Sequence, residues 1–414
     1  MKFFYQIFIY LYPLAARLLG YQNEKARLWV KGRENIFERL RQAFEGNTAT
    51  VVWVHCSSLG EFEQGKPVIE QLKIKYPASK ILVTFFSPSG YEVRKHDSIA
   101  DWVFYLPMDS AANAKQFFDI VKPKLILFVK YEFWYYYLQQ AKNRQIPLLL
   151  VSGIFRAGQP FFKWYGSFNR GMLLCFNHFF VQDEASASLL KSIGIEKNVT
   201  ISGDTRFDRV LAIAQQFQPI PAIEAFIGNS QKVIVAGSTW LEDDKVLHHY
   251  IVAHPEIKFI IAPHDIQQSR IDECVALYGS PLNVIGQWST VNGQPSNVLL
   301  INTMGMLSKL YHYATIAFIG GGFGEDGIHN ALEAAVYGKP VLFGPEYSKY
   351  IEAIGLVDNG AAFSVENALE LEKVFDDLFN NPTFYQQAAT AAKDFVAQKA
   401  GATERIVEFV SGES

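Results

Sequence analysis

From Thr48 onward the chain alternates short runs of β-branched and aromatic residues with longer stretches whose apolar residues recur three and four apart, and it does so twice. Such runs read as strands buried on both faces of a parallel sheet, and the stretches between them as the helices that cover those faces. The first series is Val51 to His55, Ile81 to Phe85, Trp102 to Tyr105, Leu125 to Val129, Pro147 to Val151 and His178 to Val181. Helices are expected between them at Glu63 to Tyr76, Ala111 to Val121, Tyr135 to Arg144 and Ala185 to Ile193. The second series is Lys232 to Ala236, Phe259 to Ala262, Asn283 to Ile285, Val298 to Ile301, Ile316 to Ile319 and Pro340 to Phe343. At 414 residues the chain exceeds what one hydrophobic core usually organises. The class is therefore α/β, with two Rossmann-like doubly wound domains. Open sheets of this kind bind ligands at the C-terminal ends of their strands, so two domains facing a cleft would place both sets of ends on its walls.

Gln and Pro accumulate at Gln215 to Pro221, poor material for a helix or sheet interior. The expected division is an anchor helix at 1–22, a first domain at 23–214, a linker at 215–230 and a second domain at 231–385. Helices fill 386–414, with one able to cross back to the first domain. Phe3 to Gly20 is almost wholly apolar, interrupted only by Gln6 and Arg17, and a basic flank with Lys25, Arg27, Lys31, Arg33, Arg39 and Arg41 follows. A cleaved signal peptide is disfavoured by the single early lysine and the lack of a small-x-small site. A membrane anchor is expected, either spanning or lying in the interface, with the basic flank cytoplasmic. The alternative is an amphipathic helix packed against the protein itself. A net charge of -3 gives no general attraction to nucleic acid, so no such partner is expected. Cys56, Cys175 and Cys274 lie far apart, which disfavours both a zinc site and a disulfide framework and fits a reducing cytoplasm.

Two loops carry the chemistry. Gly320-Gly321-Gly322-Phe323-Gly324-Glu325-Asp326-Gly327-Ile328-His329-Asn330-Ala331-Leu332-Glu333 follows the strand Ile316 to Ile319. Its glycines admit a close backbone approach, and a helix from about His329 would aim free N–H groups at an anion. The run lacks both the G-x-G-x-x-G dinucleotide spacing and the G-K-[ST] of a P-loop, so a nucleoside monophosphate suits it better. Glu333 could accept both hydroxyls of a ribose. The second loop, Ser57-Ser58-Leu59-Gly60-Glu61, follows the strand Val51 to His55. A glutamate shielded from water there can become an effective general base. Sugar transfer with inversion requires one such base and no enzyme nucleophile.

These residues, taken in order, resemble the 3-deoxy-D-manno-octulosonic acid (Kdo) transferases. The resemblance runs through Trp53 to His55 before Ser58-Leu59-Gly60-Glu61, Glu132-Phe133-Trp134, Gly203-Asp204-Thr205-Arg206-Phe207-Asp208, Gly237-Ser238-Thr239, Ala262-Pro263-His264, the glycine run to Glu333, and Gly344-Pro345. It spans nearly the whole chain. It implies a GT-B glycosyltransferase fold, CMP-Kdo as donor, a lipid A precursor as acceptor, the cytoplasmic face of the inner membrane, and Glu61 as catalytic base. Arg206, Ser238, Gly321, Gly322, His329, Asn330 and Glu333 are the implied donor-binding residues. Ser58, Lys130, Glu132 and Arg156 are expected to meet the acceptor or an anion. Lys130-Tyr131-Glu132-Phe133-Trp134-Tyr135 stands where the family has Glu-Thr-Glu-Leu-Trp-Pro, which puts a cation in reach of an acceptor phosphate. Arginine is the better partner for bidentate phosphate or carboxylate binding, which favours Arg156 and Arg206. No D-x-D motif or histidine triad stands out, so no metal and no other cofactor is expected. A GT-B enzyme using a UDP-sugar, or a non-catalytic lipid- or nucleotide-binding module, are the competing readings.

Overall fold

The computed structural model describes residues 2–278, 283–285, 297–325 and 327–412. It divides into two compact units, Met1–Arg209 with Ala400–Ser414, and Val210–Lys399. The division falls inside the helix Thr205–Gln215 rather than at 215–230, and the stretch expected as a linker contains the helix Pro221–Ile227. Proline at the first helical position starts that helix, because its missing N–H would have no partner there in any case.

In the first unit the strands are β1 (Val51–Cys56), β2 (Lys80–Phe85), β3 (Trp102–Tyr105), β4 (Leu125–Val129), β5 (Leu148–Gly153), β6 (His178–Val181) and β7 (Val199–Ile201). They form one parallel sheet in the order β3-β2-β1-β4-β5-β6-β7. Alternating side chains explain why these runs are apolar throughout. Trp53, Leu82, Phe128 and Leu150 enter a core on one face, while Val52, Val54, Val83 and Leu127 enter another on the opposite face. The C-terminal helix Ala402–Ser411 adds Ile406 and Val407 to the second of these cores. Asp208 fixes its start, accepting the Gly401 amide at 2.5 Å and the Thr403 amide at 2.7 Å.

The second unit repeats the plan with β8 (Val233–Thr239), β9 (Lys258–Pro263), β10 (Asn283–Ile285), β11 (Val298–Ile301), β12 (Ile316–Ile319), β13 (Val341–Phe343) and β14 (Ala362–Ser364). Their order is β10-β11-β9-β8-β12-β13-β14, again parallel. In each sheet the strand order reverses between two central neighbours, β1 and β4 in the first and β8 and β12 in the second. Loops leaving such neighbours diverge and open a crevice, the usual ligand position in open α/β sheets.

The N-terminal helix Lys2–Leu19 packs one stripe on the first unit, where Ile9 and Ala16 are buried with Trp29 and Met108. Tyr5 donates to Asp109 and accepts the Tyr135 amide at 3.1 Å. Its other face is exposed and apolar, with Phe3, Phe4, Tyr10, Leu11, Leu14, Leu18 and Leu19 open to the surroundings. Among the described residues no helix is long and apolar enough to cross a membrane, which corrects the expectation of a spanning anchor. Eighteen residues carrying Gln6, Pro13 and Arg17 fall short of the apolar length a bilayer needs.

Candidate active site

In the first unit the candidate residues gather on the loops after β1 and β4. The helix that follows β1 begins at Leu59, earlier than the expected Glu63, because Ser58 caps it. Glu61 therefore lies in the first turn, where its amide donates to Ser58 Oγ at 3.5 Å and its carboxylate accepts the Ser57 amide. Ser58 thus serves the helix end. Glu61 is only 9% exposed. Burial first, and the negative charge of Glu132 second, raise its carboxyl to about 8 against the opposing pull of the Ser57 amide, Lys130 and the Ser58 amide. That range suits proton acceptance near neutral pH.

Glu132, on the loop after β4, is also buried. Its Oε2 accepts the Trp134 indole N–H at 2.5 Å and lies 3.1 Å from His55 Nε2. These donors engage the Glu132 carboxylate inside the protein, where its charge acts on Glu61. Lys130 holds a left-handed backbone conformation (φ 68°), which is costly for a residue with a Cβ and marks the loop as constrained. Burial raises the Tyr131 phenol, whereas Arg156 and Arg206 oppose that shift, so both guanidinium groups lie near this ring. Arg156 is exposed, and Arg206 is bound to Asp204 through Nε at 2.8 Å and a second nitrogen at 2.7 Å. Lys130 Nζ lies 5.4 Å from the centre of the Tyr131 ring, and Glu61 and Asp183 add negative charge to the same surroundings. Arg206, expected with the donor-binding residues, belongs to this first unit.

In the second unit the loops after β8 and β12 meet. Ser238 is left-handed (φ 56°), and a Cβ on Gly320 would come within 2.4 Å of its carbonyl oxygen. Gly321 (φ 94°) and Gly322 pack against the backbone of Gly327 and Gly344, at distances that exclude any side chain. The Gly321 amide is already engaged, donating to the buried Asp243 carboxylate at 2.8 Å. The helix expected from about His329 is a four-residue segment, Leu332–Ala335. Asn330 caps this turn, accepting the Leu332 amide at 3.2 Å and donating to Glu333 Oε1 at 3.2 Å. A helix this short has little dipole, so the expected helix-end phosphate site is not formed in that way. Instead, the rings of Trp240, His264 and His329 stack in series, with centroids 4.5 and 4.4 Å apart. Trp240, Gly321 and Gly322 line a cavity of about 730 Å³ together with Glu242, Glu325 and Glu346. Asp326 lies outside the described residues. Among the described residues no three His, Cys, Asp or Glu side chains group as metal ligands.

The chain is similar to known proteins along most of its length. Residues 34–209 match the family described as 3-deoxy-D-manno-octulosonic-acid transferase (kdotransferase). The 3-deoxy-D-manno-octulosonic acid transferase of Haemophilus influenzae is 23% identical over 426 residues, covering 99% of this chain and 98% of that protein. Other 3-deoxy-D-manno-octulosonic acid transferases match this chain at 24–28% identity over 83–90% of its length, so its similarity to Kdo transferases extends beyond the family match at 34–209. This chain is a glycosyltransferase. A bifunctional glycosyltransferase/methyltransferase of Fusobacterium nucleatum is 27% identical over 83% of this chain, which spans about half (55%) of that longer protein. The structure of UDP-GlcNAc 2-epimerase from Neisseria meningitidis superposes with a TM-score of 0.64 at 20% identity, over 88% of this chain and 100% of that one. That likeness concerns the GT-B fold alone.

Reasoning from the sequence missed His55, Thr84, Asp243, Trp240 and Tyr131. Only His55 carried a local signal: it is two residues from Trp53 in one strand, so both side chains point to the same face.

Proposed function

We propose that this glycosyltransferase moves Kdo from CMP-Kdo to a lipid A precursor of the lipid IVA type, with inversion, at the cytoplasmic face of the inner membrane during lipopolysaccharide synthesis. The observation that carries the reading is Glu61: a nearly buried carboxylate at the strand-order reversal, raised to about 8, in a chain similar to the Kdo transferases. In this reaction Glu61 takes the proton of the acceptor hydroxyl as its oxygen bonds to the anomeric carbon, and CMP leaves with the electrons of the broken glycosidic bond. Lys130, Arg156 and Arg206 supply positive charge for the phosphates of the acceptor or the carboxylate of the donor sugar. Glu333 accepts ribose hydroxyls. With the Gly321 amide committed to Asp243, phosphate contacts fall to Ser238 and His329, and Gly322 allows close approach. The exposed apolar face of the N-terminal helix lies in the membrane interface and keeps the enzyme on the surface that holds its acceptor.

Purified protein incubated with CMP-Kdo and a lipid IVA-type acceptor should yield a product heavier by one or more Kdo residues. Glu61→Gln should keep CMP affinity and lose at least about a hundredfold in transfer, the usual scale for removal of a general base. A product formed only from a UDP-sugar would overturn the donor assignment, and near-normal transfer by the Gln variant would remove Glu61 from the mechanism.

A further inference from the structure

A buried chain of hydrogen bonds runs from the core of the first sheet to the neighbour of the proposed base. Trp53 Nε1–H donates to Thr84 Oγ1 at 2.8 Å. His55, whose strand position pairs with Thr84, places Nδ1 at 2.8 Å from that hydroxyl and 3.1 Å from the Thr84 carbonyl oxygen. On the far side of the ring, Nε2 lies 3.1 Å from Glu132 Oε2, and the Trp134 indole N–H is within reach of both, 3.1 Å from Nε2 and 2.5 Å from Oε2. Trp53, His55 and Thr84 are fully buried, so solvent cannot supply a missing partner.

We propose that His55 is a positioning residue, held by the Thr84 hydroxyl as its Nε2–H tautomer, and that in this form it keeps Glu132 a carboxylate beside Glu61.

Counting protons gives the direction. The Thr84 oxygen accepts from Trp53, and its own single hydrogen has the Nδ1 lone pair of His55 as its target. With Nδ1 accepting, the neutral ring carries its proton on Nε2, aimed at Glu132 Oε2. That carboxylate then receives two donors, His55 and Trp134, and remains charged in a site with little water. The opposite tautomer donates from Nδ1 to the Thr84 carbonyl. It leaves the hydroxyl hydrogen without a target and sets two acceptors, Nε2 and Oε2, to compete for the single Trp134 N–H, which lies 3.1 Å from the first and 2.5 Å from the second. Its cost in a buried site is that of unpaired polar groups.

The consequence for catalysis rests on the reading of Glu61 as base. Glu61 is faced by Glu132, Lys130 and Tyr131 from the loop after β4, by Cys56 from β1, and by the Ser57 and Ser58 amides. Among these, the Glu132 carboxylate is the charge that opposes ionisation of Glu61. Holding it ionised keeps Glu61 basic.

The test uses the full chain and does not depend on activity. Long-range proton–nitrogen spectra of ¹⁵N-histidine-labelled protein should show His55 as the Nε2–H tautomer, and an Nδ1–H signature would overturn the proposal. Carboxyl-¹³C titration should place the midpoint of Glu61 near 8 in the natural protein. Both Glu132→Gln and Thr84→Val should lower it by about one unit or more, and Thr84→Ser, which keeps the hydroxyl, should restore it. A midpoint that stays in place in Thr84→Val while moving in Glu132→Gln would overturn the role of His55, as would one that moves in neither. If Thr84→Val fails to fold, the tautomer in the natural protein still decides. A rate profile that ignores the titration of Glu61, with tautomer and midpoints as expected, would support the positioning role and sink the general-base reading instead.

Discussion

The amides of Gly321 and Trp240, on loops from two different strands, donate to the same oxygen of Asp243, each at 2.8 Å. An internal carboxylate thus engages the Gly321 amide, which the sequence led us to expect at a ligand anion. It joins the end of β8 to the loop after β12 and fixes the left-handed turn at Gly321. Burial raises the Asp243 carboxyl to about 6, the Gly321 and Trp240 amides oppose that, and Asp244 adds to it.

Asp243→Ala should lower stability by about 1–3 kcal/mol, because the buried Gly321 amide loses its acceptor. It should also weaken CMP binding, since the proposed donor contacts at Ser238, Gly322 and His329 lie at or on the two loops that Asp243 joins. Asp243→Asn keeps an acceptor oxygen and should retain most of both. Urea unfolding and calorimetric CMP titration check the pair; unchanged CMP affinity in the Ala variant would uncouple Asp243 from donor binding.

As the proposed base, Glu61 should link activity and stability with opposite signs. Only its ionised form accepts a proton, so kcat/KM should fall about tenfold per pH unit below about 8 and level off above it. Folding favours its protonated form: the unfolded chain loses this proton near 4.5 and the folded chain near 8. Between those values the folded state binds more protons, so the contribution of Glu61 to stability declines as pH rises. Glu61→Gln should therefore melt higher than the natural protein at pH 8, with the difference vanishing toward pH 4.5. Equal melting temperatures at pH 8 would contradict the raised carboxyl.

Much of the architecture was legible because parallel strands buried on both faces leave uninterrupted apolar runs. The edge strands Val199–Ile201 and Ala362–Ser364 were not, since they are three residues long and only partly buried. The start of the helix at Leu59 was available in the spacing Ser58-x-x-Glu61, a helix-capping pattern, but the apolar periodicity drew the expected start to Glu63. Glu61 and the glycine loop stood out because they follow central strands directly. The contacts of His55 with Thr84, and of Asp243 with Gly321, were hidden, because strand register and long-range pairing leave no trace in local sequence. The Gly321 amide shows the cost of this: a glycine-rich loop announces a close approach without saying whether a ligand or the protein itself makes it.

The C-terminal helix should matter chiefly to the first unit. Ile406 is fully buried in one of that unit's cores, and Ile406→Ala should cost about 2–5 kcal/mol. Hydrogen exchange would locate the loss: amides of β1, β2 and β4 should lose protection, while those of β8, β9 and β12 keep theirs. Equal loss in both groups would mean that the two units unfold as one.

The exposed face of the N-terminal helix gives the sharpest membrane test. Phe4, Leu11 and Leu18 are 68%, 56% and 72% exposed and spaced seven apart, so they form one line along the helix. Replacing all three with Gln should abolish flotation with phospholipid vesicles and leave the melting temperature nearly unchanged. Activity on vesicle-embedded acceptor should fall far more than activity on a short-chain, water-soluble analogue, because the proposed role of the helix is to confine enzyme and acceptor to one surface. Deleting residues 1–20 is a poorer experiment. It removes Tyr5 from Asp109 and strips Ile9 and Ala16 from Trp29 and Met108, so it should destabilise the first unit as well as release it. Vesicle binding that survives the triple substitution would place the membrane contact elsewhere. Equal loss on both acceptors with an intact melt would instead make this helix part of the acceptor site.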